Sequence, residues 1–359
     1  CIITCPTGAL KPKDEVEKIL EAKKEGKILI CYTSPAIRVS IGDAFGYEAG
    51  AFLQEELIGS LRALGFTYVL DTTFGADLTI MEEASELKTR IQDNGTLPMF
   101  TSCCPAWVKY AETFYPAILD HISTCKSPIG MQGIMVKEYF TKQMHLNKEN
   151  VFTVAVTPCT AKKFEVRREE IPGTDAVITV SELTKWLKEE KIDLKNVQKS
   201  SFDSLLGEGS GGGTIFGNTG GVCEAALRTL YYFLTGNDFD EKQLSFRNVR
   251  GYDNVKEATI EIQDKEIKVA VVHKISAAKK ILEDVKNGVS PYHFIEIMNC
   301  QGGCIGGGGQ PKYPEGMESV VKEKRIAGLY KRDETDHIKA SYQNPDIKKI
   351  YQEFLIEPN

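Results

Sequence analysis

Residues 99–110, MFTSCCPAWVKY, place an apolar run directly before two adjacent cysteines and a proline. Neighbouring cysteines seldom form a disulfide with each other, because the required geometry strains the backbone. Two thiols at this point therefore indicate two different roles for Cys103 and Cys104. The apolar run predicts a short strand, so that both thiols lie where this strand ends.

Short apolar runs alternate with helical patterns on both sides of this segment. Before it, KILICYTSP (27–35) and YVLDTTF (68–74) predict strands, whereas YEAGAFLQEELIGSLRALGF (47–66) and ADLTIMEEASELKTRIQDNG (76–95) predict helices. After it, the pattern restarts near Val151 with VFTVAVTP, AVITVSELTKWLKEE, IKVAVVH and FIEIMNC. Alternating strands and helices predict right-handed βαβ units and parallel sheets.

We therefore predict an α/β fold of two lobes, each a twisted, mainly parallel sheet flanked by helices, with the active site in the cleft between them. The predicted lobes are residues 14–145 and 146–315, and residues 316–359 form a C-terminal helical segment. In residues 1–13, CIITCP matches the end of the bacterial ferredoxin cysteine run, so Cys1 and Cys5 are predicted iron ligands. The segment then represents the remnant of a ferredoxin-like domain, with a chance CxxxCP as the alternative.

The composition limits the classes of partner. Of 359 residues, 42% are hydrophobic and 26% are charged, and the formal net charge is -6. The mild acidity argues against nucleic acid or a membrane surface as the main partner. No apolar run approaches about 18 residues, so no membrane span is expected. The first residues lack the pattern of a signal peptide, and we expect a cytoplasmic protein.

The ten cysteines are clustered. In a reducing compartment, clustered cysteines indicate metal binding or catalysis rather than cross-links. Cys31 and Cys125 stand alone in apolar runs and are predicted to be buried small hydrophobic side chains. Ligands of doubly wound sheets gather beyond the carboxyl ends of the strands. One shared site is therefore expected from the cysteines that follow apolar runs: Cys103, Cys104, Cys159, Cys300 and Cys304.

Three loops supply four thiols when one cysteine of the adjacent pair is set aside: TSCCPAW, TPCTAKKFE and MNCQGGCIGGGGQP. Four thiolates suit a tetrahedral zinc ion or a cubane of four irons and four sulfides. The dispersed spacing, without paired CxxC motifs, favours the cluster, and zinc is the alternative. The glycines of residues 302–309 would let the backbone approach a bulky inorganic group.

Two further features surround these loops. Lys162, three residues beyond Cys159, is expected to donate to an anionic ligand of the metal site, whereas Lys163 is expected on the surface. The segment GEGSGGGTIFGNTGGVCEAALR lacks the Gly-Lys-Ser/Thr sequence of a phosphate-binding loop. It instead predicts a loop that wraps a site and then enters a helix.

The three loops resemble the three signature motifs of the iron-only (FeFe) hydrogenases: TSCCP-x-W, PC-x-x-K-x-x-E, and M-x-C-x-G-G-C followed by GGGQP. The resemblance covers nearly the whole chain. It implies that Cys304 bridges a 4Fe–4S cluster to a two-iron subcluster carrying CO, cyanide and azadithiolate ligands, which together form the H-cluster. The cysteines that the resemblance assigns to the 4Fe–4S cluster are Cys104, Cys159, Cys300 and Cys304.

The same resemblance implies the activity, the reversible conversion of two protons and two electrons into H2. It implies that Cys103 is the proton donor and acceptor, that Lys162 hydrogen-bonds a cyanide, and that Met298 packs beside the subcluster. Glu83, Glu86 and Arg90 fall on one helix face, and with Ser123 they match the family's proton relay. The implied cofactor-pocket residues also include Ser34, Pro35, Ala36, Thr157 and Phe216.

The family likeness also implies a ferredoxin as electron partner, dedicated maturases, and further 4Fe–4S clusters in a missing N-terminal region. The chain departs from many members around the pocket, which indicates a divergent subgroup. The departures are Ser34, Ala36, Ala106, Ile129 and Thr157.

Two alternatives keep the same fold. A Narf/Nar1-like iron–sulfur protein would bind clusters without catalysis and generally lacks the extra cysteine of the first motif. A sensory hydrogenase tends to lose the proton-transfer cysteine and its acidic partners. The presence of Cys103, Glu83 and Glu86 favours turnover.

Overall fold

The computed structural model describes residues 2, 5, 7, 9–250, 254–263 and 265–358. Its strands are β1 (Ile28–Thr33), β2 (Tyr68–Asp71), β3 (Met99–Phe100), β4 (Val151–Thr157), β5 (Ala176–Thr179), β6 (Arg247–Asn248), β7 (Val255–Ile262), β8 (Lys265–His273) and β9 (Phe294–Met298). Its α-helices are α1 (Val16–Lys24), α2 (Gln54–Leu64), α3 (Thr72–Gln92), α4 (Pro105–Phe114), α5 (Pro128–Met135), α6 (Thr141–Gln143), α7 (Lys162–Glu165), α8 (Val180–Glu189), α9 (Gly211–Ile215), α10 (Gly221–Thr235), α11 (Ile275–Lys286), α12 (Glu318–Thr335) and α13 (Pro345–Ile350).

The strands form two sheets, and the predicted α/β class is confirmed. The first sheet has the order β2-β1-β4-β5 and is parallel throughout. The second has the order β3-β9-β8-β7-β6, in which β3, β9 and β8 are parallel and β7 and β6 are antiparallel. Parallel strands need long connections, and the helices supply them.

The predicted boundary between residues 145 and 146 does not separate the sheets. In the first sheet, β1 and β2 precede the boundary and pair with β4, which follows it. In the second sheet, Met99 and Phe100 of β3 pair with Phe294 and Ile295 of β9. The alternation of strands and helices indicates parallel pairing but not which strands are neighbours, so each sheet combines strands from both predicted lobes, 14–145 and 146–315.

Two helix starts also differ from the prediction. The predicted strand through Phe74 ends at Asp71, because the Asp71 carboxylate accepts a hydrogen bond from Thr73 N at 2.8 Å and so caps α3. Helix α2 begins at Gln54 rather than Tyr47. Gly50, at φ +80°, has a left-handed conformation that interrupts a helix, and a Cβ there would lie 2.3 Å from the Lys324 carbonyl oxygen.

Both sheets are covered on both faces. Along β1, Leu29 and Cys31 join one buried cluster with α1, α2 and α8, whereas Ile30 and Tyr32 join another with α3 and α5. This burial on both sides explains the continuous apolar runs of the strands. The predicted C-terminal helical segment contains α12, which contacts α9 and a 3₁₀ turn at Cys304–Gly306.

Candidate functional site

A cavity lies at the carboxyl ends of β1, β4 and β9, beside the loop that follows β3. The structure brings all five predicted strand-end cysteines to its wall. Lys162 and Met298 line the same cavity. This arrangement follows the rule that ligands of parallel sheets gather beyond the strand carboxyl ends.

Each cysteine loop has a local cause. Cys104 is the residue before α4, and Pro105 fits the first turn of that helix because its missing N–H needs no partner there. Cys159 lies between β4 and α7, and Cys300 follows β9. Gly303, at φ +88°, turns the chain between Cys300 and Cys304, and a Cβ there would lie 2.5 Å from Thr219 N.

The candidate iron ligands raise one another's pKa. Burial raises the pKa of Cys159 to about 11, and the Cys104 thiol adds to the increase. Burial raises the pKa of Cys300 to about 12, with further contributions from Cys159 and Cys104. The pKa of Cys304 lies well above its ordinary value for the same reasons. Four thiolates therefore need a compensating cation at this site.

Within the residues that the structure describes, no three His, Cys, Asp or Glu side chains come close enough to hold a single metal ion. The four thiols instead surround a shared volume. Gln310 Nε2 donates to the Cys304 carbonyl oxygen at 3.3 Å, and Ser181 Oγ donates to the Gly309 carbonyl oxygen at 3.1 Å. These contacts fasten the glycine-rich loop around the cavity.

Cys103 lies against the cavity with 8% of its surface exposed. Lys162 Nζ donates to the Cys103 carbonyl oxygen at 3.0 Å and to Glu165 Oε2 at 2.7 Å. Burial opposes the charged form of Lys162, but the Glu165 carboxylate outweighs burial, and the pKa of Lys162 is raised. The cavity therefore carries one fixed cation beside Cys103.

Two neighbouring predictions are corrected. Lys163 is buried rather than on the surface, because its ammonium donates to Glu182 Oε1 at 3.0 Å beneath β5. Cys31 is buried as predicted, but Cys125 is partly exposed, and its thiol lies 3.9 Å from Glu86 Oε2.

Glu83, on α3, is fully buried next to the first cysteine loop. Ser102 donates to Glu83 Oε1 from its backbone N at 3.4 Å and from Oγ at 3.5 Å, whereas Oε2 has no hydrogen-bond partner among the described residues. Burial raises the pKa of Glu83 to about 8. The pKa of Cys103 is raised well above its ordinary value, first by burial and then by the Glu83 charge.

Three of the other predicted relay residues are joined by hydrogen bonds. Ser123 Oγ donates to Glu86 Oε2 at 3.1 Å, and Arg90 Nη2 donates to Glu86 Oε1 at 2.6 Å. The Ser123 side chain also lowers the pKa of Glu83, but burial raises that pKa by more. The structure thus joins Arg90, Glu86 and Ser123 in one hydrogen-bonded group, while Glu83 bonds to Ser102, the residue before Cys103.

A second cavity opens beside Glu86 and Arg90. Glu86 and Arg90 line it together with Cys125. Glu86 and Arg90 therefore face a polar cavity that is separate from the cysteine cavity.

The predicted pocket residues Ser34, Pro35, Ala36, Thr157 and Phe216 all line the cysteine cavity, as does Ile129. Thr72, Ala76 and Asn299, which were not predicted, also line it. Ser102 was also not predicted, although its position directly before Cys103 was an available signal. Cys1 lies outside the described residues, whereas the Cys5 carbonyl oxygen accepts a hydrogen bond from Lys312 Nζ at 3.5 Å.

Two family models match the chain. Residues 27–308 match the iron only hydrogenase large subunit, C-terminal domain. The chain belongs to the iron-only hydrogenase family. Residues 319–359, which include most of α12 and all of α13, match the iron hydrogenase small subunit.

Known relatives include hydrogenases and other proteins. The periplasmic Fe hydrogenase large subunit of Nitratidesulfovibrio vulgaris is 46% identical over 328 residues, which cover 89% of this chain and 77% of that protein. Iron hydrogenase 1 of Clostridium pasteurianum is 41% identical over 98% of this chain, which spans 62% of that protein. The nuclear prelamin A recognition factor of Homo sapiens is 31% identical over 83% of this chain and 67% of its own length.

Solved structures agree with the fold. A variant of the FeFe-hydrogenase HydA1 from Chlamydomonas reinhardtii has a TM-score of 0.85 and 34% identity, with 96% of both chains covered. A HydA structure reported for stepwise H-cluster assembly has a TM-score of 0.82 and 36% identity, with 97% of this chain and 93% of that chain covered.

The helices that the structure describes include none long and apolar enough to span a membrane. A cytoplasmic location stays a prediction, since the Nitratidesulfovibrio vulgaris relative is periplasmic.

Proposed function

We propose that the chain is a hydrogenase that converts two protons and two electrons reversibly into H2 at an H-cluster. The observation that carries this proposal is the convergence of two chemical systems on one cavity. Four clustered thiols suited to metal binding line it beside Cys103, and the fully buried Glu83 accepts hydrogen bonds from Ser102, the residue directly before Cys103.

The residues present fit the proposed cofactor. A 4Fe–4S cluster takes four thiolates around a volume larger than one ion, and the four thiols share a cavity without forming a single-ion site among the described residues. Cys104, Cys159, Cys300 and Cys304 would hold it, and Cys304 would also bridge to the two-iron subcluster. When bound, this group would transfer low-potential electrons and supply the metal at which hydrogen is formed or split.

The chain's own residues would deliver protons. In the direction of hydrogen formation, the Cys103 thiol would first donate its proton toward the cofactor. A proton would then move from the second cavity past Arg90 to Glu86, across the Ser123 hydroxyl to Glu83, and from the Glu83 carboxyl to the Cys103 thiolate, which restores the thiol. A raised pKa near 8 keeps Glu83 a proton donor at neutral pH. The buried Lys162 cation would orient an anionic ligand of the metal site and keep the Cys103 backbone in place.

Electrons would come from a ferredoxin, and dedicated maturases would install the two-iron subcluster. Residues 1–13 would be the end of a ferredoxin-like domain with Cys1 and Cys5 as iron ligands. The contact between Cys5 and Lys312 supports this proposal, because Lys312 follows the GGGGQP loop directly and so lies next to the cluster loop.

A non-catalytic iron–sulfur role is the second candidate. The 30% identity to the cytosolic Fe-S cluster assembly factor narfl of Danio rerio, over 95% of this chain and 87% of that protein, favours it. The buried Cys103 and the buried Glu83, which accepts hydrogen bonds from Ser102, favour turnover, because a cluster-binding protein without catalysis needs no proton path.

An infrared spectrum of anaerobically matured protein tests the proposal. Bands from iron-bound CO and cyanide are expected, together with H2 production from a reduced ferredoxin. Four-iron loading without these bands, under conditions that mature a known hydrogenase, would contradict the hydrogenase proposal and support the second candidate.

A further inference from the structure

Helix α12 places a buried cation behind the cysteine loop of residues 300–306. The Arg325 side chain is 0% exposed. Its Nη1 donates to the Ile305 carbonyl oxygen at 2.7 Å, and its Nη2 donates to Asp43 Oδ2 at 2.5 Å. Asp43 is 19% exposed, so water screens part of its charge. The third guanidinium nitrogen, Nε, has no hydrogen-bond partner among the described residues.

A second cation from the same helix lies on the same loop. Lys322, one turn before Arg325, is 11% exposed and pairs with Glu318 at 2.6 Å, and Glu318 is 49% exposed. A Cβ built at Gly306 would lie 3.1 Å from Lys322 Cε, so the lysine stem packs on the loop backbone. The ring of Tyr313 lies 5.6 Å from Lys322 Nζ and 5.1 Å from Arg325 Cζ.

The 300–306 loop lies between helix α12 and the cysteine cavity. Ile305 is fully buried, its N donates to the Gly217 carbonyl oxygen at 3.0 Å, and it packs with Ala36 and Leu329. Ala36 and Gly217 line the cysteine cavity, whereas Leu329 belongs to α12. One residue thus separates the Arg325 guanidinium from the wall of the cavity.

Burying a cation is unfavourable unless negative charge lies opposite. The carboxylates that pair with Arg325 and Lys322, those of Asp43 and Glu318, are both partly exposed. The neighbouring Cys300 and Cys304 become thiolates when they bind metal, and a four-iron cluster with four thiolates carries net negative charge that increases on reduction. A nearby fixed cation therefore stabilises the reduced cluster more than the oxidised cluster.

We propose that Arg325 and Lys322 are positioning residues of α12 that hold the 300–306 loop and raise the reduction potential of the cluster bound there. Residues 319–359, which match the small-subunit family, then contribute to the redox site and do not merely pack on its outside. This inference rests on the proposed function, because it needs the four-iron cluster.

The test uses protein produced without maturases, so that the four-iron cluster is the species measured. Its reduction is followed by electron paramagnetic resonance during a redox titration. Lys322→Gln and Arg325→Gln should each lower the ratio of reduced to oxidised cluster at fixed potential by about tenfold, a shift of about 59 mV for one electron. Asp43→Asn should raise the ratio. Arg332→Gln, which removes a 43% exposed cation from the same helix, should leave it unchanged.

The opposite signs separate charge from simple loosening of the loop. Equal potentials in the parent, Lys322→Gln and Asp43→Asn, or shifts of both variants in one direction, would overturn the inference. Loss of the cluster from Arg325→Gln alone, with normal loading of Arg332→Gln, would support the positioning role. A parent chain that binds no four-iron cluster would instead refute the proposed function, and this inference with it.

Discussion

Substituting Glu83 by glutamine should change the pH dependence of stability and, separately, lower hydrogen turnover. Glu83 is fully buried, one of its carboxylate oxygens has no partner among the described residues, and burial raises its pKa from 4.5 to about 8. The folded protein therefore keeps a proton that the unfolded chain releases. The stability that this proton contributes is complete below pH 4.5 and is lost as the pH rises to about 8.

The magnitude follows from the two pKa values. Each pH unit between them is worth about 1.36 kcal/mol, so the total effect is about 5 kcal/mol, of which about 3 kcal/mol falls between pH 5.5 and pH 8.5. Glu83→Gln is nearly isosteric and carries no charge at any pH. We expect its free energy of unfolding, relative to the parent, to increase by about 3 kcal/mol over that interval.

Urea unfolding of both proteins at pH 5.5 and pH 8.5, followed by tryptophan fluorescence under anaerobic conditions, measures this difference. Other buried acids with raised pKa values, such as Asp77 and Glu296, are present in both proteins and cancel in the comparison. The same substitution should lower hydrogen turnover by about 10²-fold or more, because an amide does not relay the proton. Parallel pH profiles of stability, or turnover within a few-fold of the parent, would refute the assignment of Glu83.

Three further changes have distinct expected results. Cys300→Ala should abolish stable four-iron loading, because it removes one of four thiolates, and full iron content with an unchanged cluster spectrum would contradict the ligand assignment. Ser123→Ala should slow turnover by about 10-fold or more without changing the infrared bands, since it removes the hydroxyl that donates to Glu86; an unaltered rate would place Ser123 outside the path. Gly50→Ala should destabilise the fold by about 1–3 kcal/mol, because of its positive φ and the Lys324 carbonyl oxygen 2.3 Å from the new Cβ; an unchanged melting temperature would show that the α12 contact yields freely.

The sequence predicted the candidate site better than the topology. Cys103, Cys159 and Cys300 each follow an apolar run, and parallel sheets bring strand ends together, so their convergence could be derived without strand partners. The pairing of Met99 with Phe294 could not, because hydrogen bonding between distant strands leaves no periodic signal in either one.

Buried ion pairs were also not predictable from the sequence. A lysine in a polar stretch of sequence is ordinarily expected on the surface. The fold alone brings Glu182 to Lys163 and Asp43 to Arg325, so neither buried pair could be predicted from the sequence. The contact between Glu86 and Arg90 was predictable, because the two residues share a helix face, whereas Ser102 reaches Glu83 only through the packing of the first cysteine loop on α3.

The adjacent cysteines provide the most direct test of the account. Iron content, infrared spectrum and hydrogen turnover should be measured on matured Cys103→Ala and Cys104→Ala proteins in parallel. The account predicts that Cys104→Ala loses the four-iron cluster and the infrared bands with it. Cys103→Ala should keep both metal units and bands close to the parent's, yet its turnover should fall by about 10²–10⁴-fold, with partial recovery in Cys103→Asp and none in Cys103→Ser. Near-parent turnover in Cys103→Ala, or intact metal loading in Cys104→Ala, would contradict the division of roles between the two thiols.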